Sequence, residues 1–199
     1  YITVTTKREH LAEALALAAD VLRNPAFPDT EFEQLREQSI TSMEASRREP
    51  GRYVSEAMGK HFNHWPAGHP LAFRTLDENL AATRAVKLED VRAFHRDFYG
   101  TATGEVAVVG DFDPVQMKQQ LQELFTGWKS TRPFARIADS HRPVAAIRES
   151  FETPDKANAV LLARSEFPLN SNDPDYPALS IANRVFGGGG MASRLGDRI

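Results

Sequence analysis

Apolar residues recur at helical spacing through the first half of the chain. From Lys7 to Arg23, Leu11, Leu15, Ala18 and Leu22 fall on one side and Asn24-Pro25 ends the run, which predicts an amphipathic helix. Thr30-Glu31-Phe32-Glu33 has the spacing of a capping box, in which the threonine and the glutamate each accept a hydrogen bond from the other's backbone N–H. A second helix is therefore expected from Thr30 to the Pro50-Gly51 break, with Phe32, Leu35, Ser39 and Met43 on one face. Arg52 to Phe62 predicts a third. Prolines and a glycine crowd Trp65-Pro66-Ala67-Gly68-His69-Pro70, so that stretch reads as a loop. Another capping box, Thr75-Leu76-Asp77-Glu78, opens a short helix, and Leu88 to Tyr99 continue with Leu88, Val91, Phe94 and Phe98 turned inward.

The period then changes. Glu105-Val106-Ala107-Val108-Val109-Gly110 is short, β-branched and closed by glycine, the pattern of a buried strand. Asp113-Pro114 supplies the N-cap and first position of a helix through Phe125. Apolar positions thin out from Gly127 to Pro143, the pattern of a connector between domains. Beyond it, Val144–Glu152 and Ala157–Phe167 read as strands, and Asp173-Pro174 caps a helix that ends at the glycine run after Phe186. Tyr1–Thr6 reads as an opening strand and Ser193–Ile199 as the first turn of a further helix, so the chain is expected to be an excerpt of a longer protein. The expected fold class is α+β, in two parts: residues 1–135 as the later portion of one domain, 136–143 as linker, and 144–199 as the beginning of the next.

Composition narrows the partners. An apolar share of 41% over 199 residues is enough to bury a core, and no run of eighteen apolar residues occurs. The net charge is -3 with acidic and basic residues interleaved, which leaves neither a nucleic-acid footprint nor a polybasic membrane anchor, so nucleic acid and membrane are not expected as partners. The absence of cysteine excludes disulfides, thiolate metal sites and a cysteine nucleophile, and leaves cytosol and periplasm open.

Several strings, taken in order, resemble the pitrilysin/insulinase family of zinc metallopeptidases. They are Leu22-Arg23-Asn24-Pro25-Ala26-Phe27-Pro28, His69-Pro70, Val91-Arg92-Ala93-Phe94-His95-Arg96-Asp97-Phe98-Tyr99, Val108-Val109-Gly110-Asp111-Phe112-Asp113 and Phe125-Thr126-Gly127-Trp128. Past the connector, Asp155-Lys156-Ala157-Asn158-Ala159, Asp173-Pro174-Asp175-Tyr176-Pro177-Ala178-Leu179 and Phe186-Gly187-Gly188-Gly189-Gly190 continue the likeness almost to the end of the chain. The resemblance implies tandem α+β domains of the mitochondrial-processing-peptidase type, each a mixed or antiparallel sheet with helices on one face, enclosing a peptide chamber in which the first domain usually holds zinc.

The zinc chemistry of that family needs two imidazoles one helical turn apart with a carboxylate between them. The nearest string here is His10-Leu11-Ala12-Glu13-Ala14, and Ala14 stands where the second imidazole belongs. Glu37 lies on the helix where the family's catalytic domains keep a third ligand, but Glu31, Glu33 and Glu44 share that helix, and a solvated acidic face is the simpler reading. His61, His64 and His69 lie close in sequence without a carboxylate beside them and read as a surface cluster, and His95 reads as a hydrogen-bonded boundary histidine. Gly187–Gly190 follows a helix and lacks the Gly-Lys-Ser/Thr ending of a phosphate loop, so close backbone packing is the better reading. No catalytic and no metal residue is assigned.

The resemblance thus implies a non-catalytic segment of a zinc-dependent metalloendopeptidase, inactive by itself. Zinc would reside in the parent's catalytic domain, the peptide substrate and the catalytic half or a partner subunit would be the partners, and the address would be periplasmic. Two rival readings are a metal-free structural subunit of a related assembly and an unrelated α+β binding module.

Overall fold

The computed structural model describes residues 2–198. Seven α-helices carry it: α1 (Leu11–Arg23), α2 (Asp29–Ser46), α3 (Pro50–Phe62), α4 (Leu76–Ala85), α5 (Leu88–Phe98), α6 (Pro114–Phe125) and α7 (Tyr176–Asn183). A 3-10 turn, Arg8–His10, leads into α1.

Two caps follow their sequence signals. Thr75 Oγ1 accepts from the Glu78 N–H at 3.2 Å while the Glu78 carboxylate accepts from the Thr75 N–H at 2.7 Å, closing the box at the start of α4. Asp113 Oδ1 accepts from Val115 and Gln116 at 2.8 and 3.1 Å and starts α6, with Pro114 at its first position. The box expected at Thr30 does not form. Pro28, extended at φ -66°, takes the N-cap place, so α2 begins at Asp29 and leaves Thr30 inside the helix. Glu33, which the box would need, instead pairs with Arg36 at 2.5 Å.

The α+β expectation is overturned. Among the described residues there is no strand and no sheet. The segments expected as strands, 105–109, 144–152 and 157–167, have no ladder partner, and Val109 is 98% and Leu161 94% exposed. β-branched composition favours an extended backbone, but a strand exists only where a neighbour accepts and donates its hydrogen bonds. Ile2–Thr6 is likewise unpaired; Tyr1, where that strand was expected to open, lies outside the described residues, as does Ile199 at the other end. Residues 193–198 form turns, with Asp197 N–H donating to Ser193 O at 2.9 Å, rather than a helix.

The helices pack as pairs. α1 lies against α6, and Ala18, Ala19 and Met117 are their buried residues. Gln120 Nε2 donates to Ala12 O at 2.9 Å across that contact, and Arg23 reaches Leu124 O at its other end. α2 lies against α4, whose Leu76 and Leu80 are buried. α5 buries Leu88, but Phe94 and Phe98, expected inward, are more than half exposed and stack on each other at 4.8 Å. It reaches the α1–α2 turn through Arg92, which donates to Phe27 O at 3.3 Å. Phe27 sits at φ 44°, a left-handed conformation that costs a bulky residue roughly 1–3 kcal/mol, and its ring meets His95 edge-on at 5.7 Å.

Charged groups finish the α2–α4 contact. Arg47 bonds Glu44 at 3.0 Å and Asp77 at 2.7 Å, and Arg84 bonds Glu44 at 2.9 Å. The hydrogen bonds from Arg47 and then Arg84 hold the Glu44 carboxyl below its usual value, and the bond from Arg47 does the same for Asp77. A depressed carboxylate stabilises the fold above the ordinary carboxylate range, and that stabilisation is lost as pH falls through the depressed values. Carboxyl NMR titrations of Glu44 and Asp77 are expected to move to higher pH in Arg47→Met. Unchanged titrations would show that the network does not persist in solution.

Candidate functional site

The last turns of α3 and the loop after it face chain that returns from beyond residue 138. The His61 Nε2 lies 2.7 Å from Ala145 O, so a protonated ring nitrogen donates there. His64 Nε2 lies 3.2 Å from Asp139 Oδ1, an ion-pair distance, yet it is buried and off the line of a hydrogen bond. Trp65 is held between imidazoles, tilted to His64 at 4.5 Å and stacked on His69 at 4.0 Å. His69 Nδ1 in turn accepts from the Leu71 N–H at 3.1 Å. Upstream on the same helix, Tyr53 stacks with Phe151 at 6.3 Å, and Lys156 reaches back to Glu49 at 3.0 Å. Arg164 lies over the Phe62 ring at 4.4 Å and pairs with Glu166.

Two open grooves result, side by side along α3. One is floored by Tyr53, Ala57 and His61, with Leu76 on one wall and Phe151 on the other. The other is lined by Phe62, Trp65, Phe73 and Phe167, with Arg164 and Asp139 at its edges. Gly59 lines the second: a Cβ there would stand 2.6 Å from the Phe73 ring, which rests on the bare backbone.

The residues weighed from sequence do not come together. His61, His64 and His69 each have a separate engagement, with Ala145, Asp139 and Leu71 respectively. His10 is exposed and lies 3.7 Å from Glu9, not beside Glu13, and Glu37 is exposed on α2. Among the described residues no three His, Asp or Glu side chains converge as a metal site. His95 Nε2 lies 2.8 Å from Leu22 O and its ring packs 4.9 Å from Tyr99, the geometry of a boundary histidine fastening α5 to α1.

The glycine run closes on itself. A Cβ on Gly189 would stand 2.7 Å from Arg184 O, and Gly190 takes φ +60°, so neither position admits a side chain without strain. The N–H groups of Ala192, Ser193, Arg194 and Leu195 donate to Gly189, Gly190, Val185 and Phe186. Those four donors are used inside the loop and are not free to cradle a phosphate.

The lining residues Tyr53, Trp65, Phe151 and Arg164 escaped sequence reasoning. Tyr53 and Phe151, like Phe62 and Arg164, meet across long stretches of chain, and no local period marks them.

No curated protein and no solved structure matches the chain at a significant level. A family model described as "Peptidase M16 inactive domain" matches residues 85–199, from the end of α4 through α5, α6, the connector and α7. That span is shorter than the resemblance read from the motifs, which began near Leu22, but it takes in more than half of the chain. The chain therefore belongs to the Peptidase M16 inactive domain family.

Proposed function

We propose that this non-catalytic, metallopeptidase-like segment forms part of the wall of a peptide-holding chamber, in a parent enzyme whose zinc sits in a separate catalytic domain. The observation that carries the reading is the pair of open grooves along α3, floored by aromatic rings and edged by paired charges. An extended peptide gains affinity there by covering rings already ordered against one another. Residues 1–135 belong to one family-type unit and 144–199 to the beginning of the next, with 136–143 between them. The catalytic half of the same protein or a partner subunit faces this wall, and the parent is periplasmic, a placement that rests on the resemblance. No described helix is long and apolar enough to cross a membrane, and the interleaved charges give no basic patch for nucleic acid.

A second reading, a metal-free structural subunit, draws on the exposed apolar side chains Val109, Leu161 and Met191, each more than nine-tenths accessible and suited to burial against another protein. A His-x-x-Glu-His string in the same reading frame would decide for the enzyme.

The chain is expected to lose added zinc on dialysis, to leave an unstructured peptide uncleaved, and to bind that peptide with a saturable change in Trp65 fluorescence in a Trp128→Phe background. Phe151→Ala is expected to weaken binding by about fivefold or more, as loss of an aromatic contact does. Stoichiometric zinc, with hydrolysis abolished by Glu37→Gln, would overturn the non-catalytic assignment. Absence of saturable binding would overturn the chamber wall.

A further inference from the structure

We infer that His61 and His64 form a pH-sensitive clasp that fastens the connector to the end of α3, tightening on acidification. The two imidazoles reach the returning chain at separate points, His61 at Ala145 O (2.7 Å) and His64 at Asp139 Oδ1 (3.2 Å), so that residues 139–145 are pinned at both ends. The pins differ in kind. A neutral imidazole bearing its proton on Nε2 satisfies a carbonyl, so the His61 pin does not need a charged ring. A carboxylate opposite a neutral ring gains little, whereas an imidazolium makes an ion pair with it. The His64 Nε2 is buried and makes no hydrogen bond, so its attraction to Asp139 depends on charge on the ring.

The other charges in the neighbourhood leave this pair in control. Arg164 is occupied by Glu166, while Arg142 and His141 come from the connector itself and share the second groove with His64. Glu56, Lys60, Asp77 and Glu149 line the first groove, on the His61 side. Asp139 is thus the carboxylate that meets His64, and its removal would leave that ring facing mainly positive charge. Trp65 and His69 stack behind His64 and limit its retreat. The consequence is mechanical: a protonated His64 fixes Asp139 against the end of α3, and with Ala145 already held by His61 this sets the width of the second groove, which residues 139–145 line, whether or not that groove holds peptide.

The test uses the absence of native cysteine. A nitroxide on Ser140→Cys in the whole chain reports connector mobility by a signal that is itself indifferent to pH. Between about pH 8 and about pH 5.5, spanning the histidine range, the ratio of mobile to immobile spectrum is expected to fall roughly two- to fivefold, the range of a partly exposed ion pair. His64→Gln and Asp139→Asn are each expected to abolish that change, and His61→Gln to raise mobility at both pH values. Agreement between His64→Gln and Asp139→Asn separates the pairing from a fold defect in either variant. Mobility that does not change with pH, or a change that survives both substitutions, overturns the clasp.

Discussion

Leu80→Ala is expected to lower the stability of the chain by about 2–5 kcal/mol, the cost of emptying a buried leucine site. Leu80 is 1% exposed, the most deeply buried large side chain among the described residues, and it sits on α4, which packs against α2. The apolar core around it is small. Leu76, Leu88 and Met117 are the other large side chains below a tenth exposure, joined by Ala18 and Ala19. Most single domains hold a net stability of about 5–15 kcal/mol, so one leucine cavity here removes a large fraction of what keeps the helices together. Urea unfolding followed by helical circular dichroism measures it, with Val109→Ala as a comparison. Val109 is 98% exposed, and its truncation is expected to stay within about 0.5 kcal/mol. A Leu80→Ala chain as stable as the Val109→Ala chain would show that α4 is not packed as described.

The contrast between Leu80 and Val109 also marks how far the sequence could be read. Local signals held where everything they needed lay within a few residues. Thr75 and Glu78 satisfy each other across one turn, and Asp113 and Pro114 open α6 with no help from elsewhere. Thr30 and Glu33 carry the same spacing, but Pro28 preset the backbone two residues earlier and Arg36 took the glutamate, so an identical pattern lost to its neighbours. The run 105–109 failed for a different reason: its composition describes one strand, while a sheet is a relation between strands. The grooves were illegible on the same principle. Tyr53 meets Phe151, and Phe62 meets Arg164, across about a hundred residues of chain. His95 was legible because its neighbours on α5 already placed it at a boundary, and it binds Leu22 O accordingly.

Gly100→Ala is expected to be the second most damaging change, about 2–4 kcal/mol from steric overlap together with lost hydrogen bonds. The same glycine-to-alanine change elsewhere has the opposite sign. α5 ends at Phe98, and the chain turns so that Gly100 rests directly on the backbone of residues 129 and 130. An added Cβ would lie 2.9 Å from the Lys129 carbonyl carbon and closer still to Ser130 N, and backbone atoms cannot swing aside as a side-chain tip can. That contact is enclosed by hydrogen bonds: Thr101 N–H to Trp128 O at 3.1 Å, Arg132 N–H to Asp97 O at 3.0 Å, and Thr131 Oγ1 to Asp97 Oδ1 at 3.2 Å. Burial pushes the Asp97 carboxyl up, but the bonds from Arg96 and Thr131 and the charges of Arg96 and Arg132 outweigh it and leave the carboxyl below its usual value, so this junction too is firmest above the ordinary carboxylate range. Separating residues 100 and 129 pulls on all of these at once, and Trp128 moves with them, away from Phe125 and His95, on which it stacks at 6.3 and 6.4 Å. In a Trp65→Phe background the fluorescence of Trp128 is therefore expected to shift to longer wavelength in Gly100→Ala, alongside a lower unfolding midpoint. Gly51→Ala supplies the sign reversal: that glycine lies in the first turn of α3 with nothing within 4 Å of an added Cβ, so a gain of roughly 0.5–1 kcal/mol is expected from the stiffer unfolded chain and better helix propensity. Equal effects at the two positions would mean that the α5 terminus does not rest on residues 129 and 130.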